Sequence, residues 1–166
     1  MRHHVRTLIA VLVPCLLLSG LSHAAPQGVD IAKSGETSLR AVLGGKPVQI
    51  TFRTARLKKS DPGFPSALDD YSNEVSICQR MTIVVDGKTI SVPWSAYSDL
   101  FDARKGFLRF EKGTFVLVIV GADGAYTYWV HVNFNGKRVT KRSVYDSFPP
   151  YKPLEETLYS PGKVIR

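Results

Sequence analysis

Few residues in this chain could do covalent or acid–base chemistry. Of its 4 histidines, His3, His4 and His23 fall in an N-terminal leader, and His131 alone lies in the body of the chain. Of its 2 cysteines, Cys15 also belongs to the leader, which leaves Cys78. A nucleophile activated by a base would have to be Cys78 with His131, and neither sits on a strand-to-helix elbow or in a glycine-rich turn. One histidine and one cysteine cannot fill the N/S ligand sets of zinc, copper or iron. No Gly-x-Ser-x-Gly, His-Glu-x-x-His, phosphate-cradling loop or helix-loop-helix Ca²⁺ motif occurs. The inventory therefore calls for no cofactor.

Three other groups of residues deserve weighing. Asp61, Asp69, Asp70 and Glu74 form the local acidic cluster; Asp69, Asp70 and Glu74 could hold a hard cation such as Ca²⁺, or carboxylates of this loop could serve a hydrolase. Their spacing matches no defined Ca²⁺ loop, and a solvated loop face explains them as well. Trp94, Tyr97, Trp129 and Tyr151 could stack on sugar rings or anchor a protein partner, with core packing as the plain reading. Basic residues gather at Arg53, Arg56, Lys58 and Lys59 and again at Lys137, Arg138, Lys141 and Arg142. On a strand the second group splits: Lys137, Val139, Lys141 and Ser143 share one side, Arg138, Thr140, Arg142 and Val144 the other. A split set makes no continuous groove for nucleic acid, and such charges also discourage edge-to-edge aggregation.

The elements that position these residues are strands. Phe115 to Val120 is apolar at every position and must be covered on both faces. It is followed by Tyr126 to Phe134 and Arg138 to Tyr145, with glycine-containing turns between them, which is the pattern of an antiparallel meander. In the middle run Tyr126, Tyr128, Val130, Val132 and Phe134 form the core face, so Trp129 and His131 lie side by side on the opposite face. Upstream, Thr37–Leu43 and Val48–Leu57 form a hairpin across Gly44-Gly45-Lys46. Val48, Ile50 and Phe52 lie on one face of it, Gln49, Thr51 and Arg53 on the other. Lys58–Asn73 is a long irregular loop rich in turn residues. Glu74–Val85 and Lys88–Val92 pair across Asp86-Gly87, and the strand setting of Cys78 predicts a buried thiol.

Trp94 to Phe101 reads as one or two helical turns with Trp94, Tyr97, Leu100 and Phe101 on one side, plugging an open end. Phe107–Glu111 precedes the central run, and Glu155–Tyr159 could add a last edge strand after a proline-rich extended segment. The sum is an all-β, single-domain antiparallel β-sandwich or small barrel of about eight strands with one short helical turn.

The N-terminus reads as an export signal: Arg2 and Arg6, an apolar run from Leu8 to Leu18, then Ser22-His23-Ala24 ahead of the cleavage point. The run is too short for a permanent span. Pro14 stands where a lipoprotein signal wants a small residue before its cysteine. Cleavage near Ala24 would leave residues 25–166 as one periplasmic or secreted β domain with no possible intramolecular disulfide. Loss of Arg2 and Arg6 lowers the net charge from +8 to +6, still favouring anionic partners such as cell-wall polymers.

The stretches Gly121–Val132, Arg138–Tyr145, Glu155–Tyr159 and Asp86–Leu100 resemble a group of small exported bacterial proteins. The resemblance implies an all-β fold and export, and carries no activity or functional residue with it. The function expected from the residues is a non-catalytic binding module of inhibitor or immunity type, recognising an envelope component or a protein partner. Binding would use Trp129, His131, Trp94 or Tyr97. The alternatives are a carbohydrate- or peptidoglycan-binding domain, and a hydrolase using the Asp61–Glu74 carboxylates.

Overall fold

The computed structural model describes residues 28–66, 72–122, 127–146 and 152–160. Within them the chain forms ten strands: β1 (Gly28–Asp30), β2 (Gly35–Leu43), β3 (Lys46–Lys58), β4 (Glu74–Val85), β5 (Lys88–Ile90), β6 (Ala103–Glu111), β7 (Thr114–Gly121), β8 (Tyr128–Phe134), β9 (Val139–Tyr145) and β10 (Glu155–Leu158). They make two open antiparallel sheets, one of six strands in the order β1-β6-β7-β8-β9-β10 and one of four, β2-β3-β4-β5. The fold is a sandwich rather than a closed barrel. The eight expected strands are present, β10 is the last edge strand expected over Glu155–Tyr159, and β1 is a further short edge. The proposed leader lies outside the described residues.

Local chemistry dictates the hairpins. Gly44-Gly45, Asp86-Gly87 and Lys112-Gly113 each place two consecutive residues at positive φ. That is the mirror-image turn whose twist matches antiparallel strands. The first of these turns spans two residues, with Lys46 already in β3. Gly44 is also where Phe110 packs: an added Cβ would stand 2.6 Å from its ring. Phe110, Phe115 and Phe134 continue inward as a ring ladder, with centroids 5.0 and 5.3 Å apart.

The core follows the strand alternation. Val48, Ile50, Phe52, Met81, Ile83 and Val85 of the small sheet face Leu108, Leu117, Ile119, Val130, Val132 and Phe134 of the large one, all buried. Cys78 is buried there too, at 5% exposure.

Three bulges alter the faces that simple alternation assigns. Gln79 is the extra residue opposite Arg53/Thr54, and Arg104 the extra one opposite Val120/Gly121. In β9, Lys141 pairs with Asn133 but Val139 pairs with Phe134, so Thr140 is the inserted residue. The bulge turns Val139 into the core at 1% exposure, away from the side of Lys141 where alternation puts it.

The segment after β5 supplies the one short helical turn expected, in its tighter form. It is a 3-10 turn, Trp94–Ala96, in which the Trp94 carbonyl accepts from both Tyr97 and Ser98 N–H. So short a turn has no 3.6-residue apolar face. Ala96 and Leu100 point inward, fully buried, and Trp94 is 72% exposed. Of the expected plug residues Leu100 is buried and Tyr97 packs against the core, while Ala96 points inward and Trp94 outward.

Arg142 is pinned beneath this turn. Its register with Val132 puts it on the inner face of the large sheet, 3% exposed. Nη2 donates to both carboxylate oxygens of Asp99, at 2.8 and 2.7 Å, and Nη1 to Glu155 at 3.3 Å. A desolvated guanidinium is tolerated only with such partners.

Gly121 and Tyr128 sit opposite one another where β7 meets β8. The Tyr128 hydroxyl donates to the Phe101 carbonyl at 2.6 Å. Burial above all, with Asp99 and Asp102 nearby and Arg142 opposing, pushes its ionisation upward. A methyl group on Gly121 would run into the Tyr128 ring and hydroxyl. Gly121→Ala should lower the unfolding free energy by about 1–3 kcal/mol, the usual scale of overpacking; urea denaturation measures it.

Candidate functional site

The site is best built from the register of the large sheet. β8 exposes one face through Trp129, His131 and Asn133 while Val130, Val132 and Phe134 go to the core. Antiparallel pairing then sets a row Phe107–Val118–His131–Ser143–Glu156 across five strands. A second row runs Lys105–Val120–Trp129–Tyr145, and a third Arg109–Val116–Asn133–Lys141–Leu158. The outcome is an aromatic and polar strip on the outer face.

Its centre is dense. Val118 is fully buried and Ser143 is 1% exposed, although both point away from the sandwich core. The His131 and Tyr145 rings lie 5.0 Å apart at 53°. Gly28 of β1 leaves room for the Phe107 ring beside it. At the rim the charges are matched: Arg109 with Glu111 at 3.7 Å and Lys141 with Glu156 at 2.6 Å. Lys141 in turn holds the Glu156 carboxyl below the usual range. Asp30 stands opposite Lys105 in register. The strip is thus electrically balanced in spite of the basic chain.

His131 is the polar anomaly in it. Its Nε2 is buried without a hydrogen-bond partner among the described residues. Burial first, then the positive charges of Arg109 and Lys141, lower its pKa, with Glu111 partly opposing. The ring is therefore neutral at neutral pH.

The other residues singled out from the sequence fall elsewhere. Trp94 and Tyr97 belong to the turn whose Asp99 reaches Arg142 on the inner side, so they do not join Trp129 and His131. Tyr97 is half-buried against the core, and Ser95 touches the Tyr159 hydroxyl at 3.4 Å. Asp69, Asp70, Tyr126 and Tyr151 lie outside the described residues. Glu74 is engaged by Arg56 at 3.0 Å, and the Asp61 carboxylate accepts from the Lys58 N–H at 2.8 Å. Among the described residues no three His, Cys, Asp or Glu side chains gather as a metal site.

Cys78 and His131 are not a catalytic pair: the thiol faces the core, the imidazole the outer face of the other sheet. Burial pushes the Cys78 thiol up to about 11, which removes its nucleophilic form at neutral pH. Among the described residues no helix is long and apolar enough to cross a membrane.

Sequence reasoning found the Trp129–His131 adjacency but not Tyr145, Phe107 or Ser143 as their neighbours. Pairing register is the missing signal, and the glycine turns supply part of it. No family model, characterised protein or solved structure matches the chain.

Two measurements follow from these environments. Cys78 should resist a thiol reagent in the native protein and react fully once denaturant exposes it, as read by mass shift. For His131, the folded pKa lies below the ordinary 6.5, so the unfolded chain takes up the proton more readily. Its contribution is intact above that value and is lost as pH falls through 6.5 towards the folded pKa. Melting temperature should therefore drop on acidification through this window, and His131→Gln should flatten the drop.

Proposed function

We propose that this chain is a non-catalytic binding module, exported to the bacterial periplasm or beyond, that recognises a protein partner of the envelope. The observation that carries the reading is the outer strip of the large sheet, with Trp129, His131 and Tyr145 packed side by side between matched ion pairs. Half-buried aromatics held in register lose little freedom on docking, and such groups anchor protein interfaces. The balanced rim favours a protein surface over an anionic polymer, which would seek unmatched cations. The buried thiol and the neutral, displaced imidazole add no reaction chemistry to it. Export rests on the basic, apolar and small-residue order of residues 1–24.

A carbohydrate-binding reading has its own observation, the 72% exposed Trp94 on the turn before β6, since an exposed indole can stack on a sugar ring. The two readings separate by variant. A stoichiometric complex captured from envelope extract should weaken at least about tenfold in Trp129→Ala or Tyr145→Ala and survive Trp94→Ala. Retention on peptidoglycan that disappears with Trp94→Ala would replace the protein partner by a glycan. Intact mass of the exported protein should begin at Ala25.

A further inference from the structure

The four outer edges of the sandwich are unequal. β1, β5 and β10 are three or four residues long, whereas β2 runs for nine, Gly35–Leu43. Its pairing with β3 has no register shift from end to end. It carries no proline or lysine, two of the devices that usually blunt a free edge.

The turn fixes which groups face outward. With Gly44-Gly45 as a two-residue loop, Leu43 and Lys46 form the first hydrogen-bonded pair, and the odd residues of β2 point their N–H and C=O groups to β3. Those of Glu36, Ser38, Arg40 and Val42 then face the open side. None has a backbone partner there among the described residues. The side chains of the same four residues are exposed on the outer face of the small sheet. Glu36 and Arg40 have no ion-pair partner among the described residues.

We propose that the protein pairs with a second copy of itself along β2, antiparallel, about a two-fold axis at Ser38. In that register Glu36 stands opposite the partner's Arg40, Arg40 opposite the partner's Glu36, and Ser38 opposite itself. All three are positions with outward-facing backbone groups, so each pair closes two ladder hydrogen bonds. The two small sheets become one continuous eight-stranded sheet. Neighbouring registers lack this match: an axis at Leu39 leaves both charges facing neutral residues, and one at Arg40 sets arginine against arginine. An edge complementary to itself in one register only is what a two-fold interface requires. The outer strip of the large sheet, on the other layer, stays free for its own partner.

Sedimentation equilibrium of the purified protein across a concentration series tests this. The wild type should reach the mass of two chains. Glu36→Arg and Arg40→Glu should each shift it to one chain, because each reversal sets like charges together twice. The double reversal, Glu36→Arg with Arg40→Glu, should restore the dimer. Ser38→Cys provides an independent reading: paired Cα atoms about 5.5 Å apart suit a disulfide. Mild oxidation should then link Ser38→Cys chains, and not Ser60→Cys chains, whose position is in the loop after β3. A wild type that stays monomeric throughout, a dimer indifferent to both single reversals, or a Ser38→Cys protein that stays unlinked would overturn the proposal.

Discussion

A run that is apolar at every position must be hidden from water on both faces, and residues 115–120 of β7 impose that demand on everything around them. Inward, Phe115, Leu117 and Ile119 meet the small sheet, which supplies Ile50, Phe52 and Ile83. Outward, Val116 and Val118 are buried as well. Their register neighbours there are Phe107, Arg109, His131 and Asn133, side chains with apolar bodies and polar ends. The same requirement that organises the core thus builds the outer strip, because half-polar side chains are the ones that can cover a valine and still meet water. The strip's imidazole bears the cost: it is desolvated, with one nitrogen unpartnered among the described residues.

Arg142 presents the converse case of a charge held inside an apolar framework. Asp99 and Glu155 hold it from two segments, the turn after β5 and the last edge strand, each with an exposed carboxylate. It is therefore a tie between that turn and the last edge strand. β10 carries exposed Leu158 and rests largely on its ladder with β9, so the Arg142–Glu155 bond and the Lys141–Glu156 bond fix it from its two faces.

Much of this architecture is legible in the sequence. Alternation along Val48–Arg53 and along Tyr128–Phe134 reports the buried face directly, and the glycine turns locate three hairpins. What alternation cannot report is a bulge: Thr140 changes the side of Val139, and Gln79 and Arg104 interrupt their ladders without a local signature. Nor can it report a long-range charge partner. Arg142 reads as one cation among several at its position, and Asp99, 43 residues away, with Glu155, makes its burial possible. The adjacency of Trp129 and His131 is local and readable. Their union with Tyr145 and Phe107 depends on which strands become neighbours.

The order of strands has a consequence for how the chain assembles. From β2 to β5 and from β6 to β10, every pairing joins consecutive strands, so each ladder can zip up as soon as its turn is made. β1 alone breaks the pattern. It leaves the ribosome first among the described strands, yet its place is against β6, after four intervening strands have been made. Until β6 is made, β1 has no ladder partner, and a growing chain spends that interval with Gly28–Asp30 unpaired. Among the described strands, β1–β6 is the one ladder that sequence-local zipping cannot close, so it carries the largest loop-closure cost.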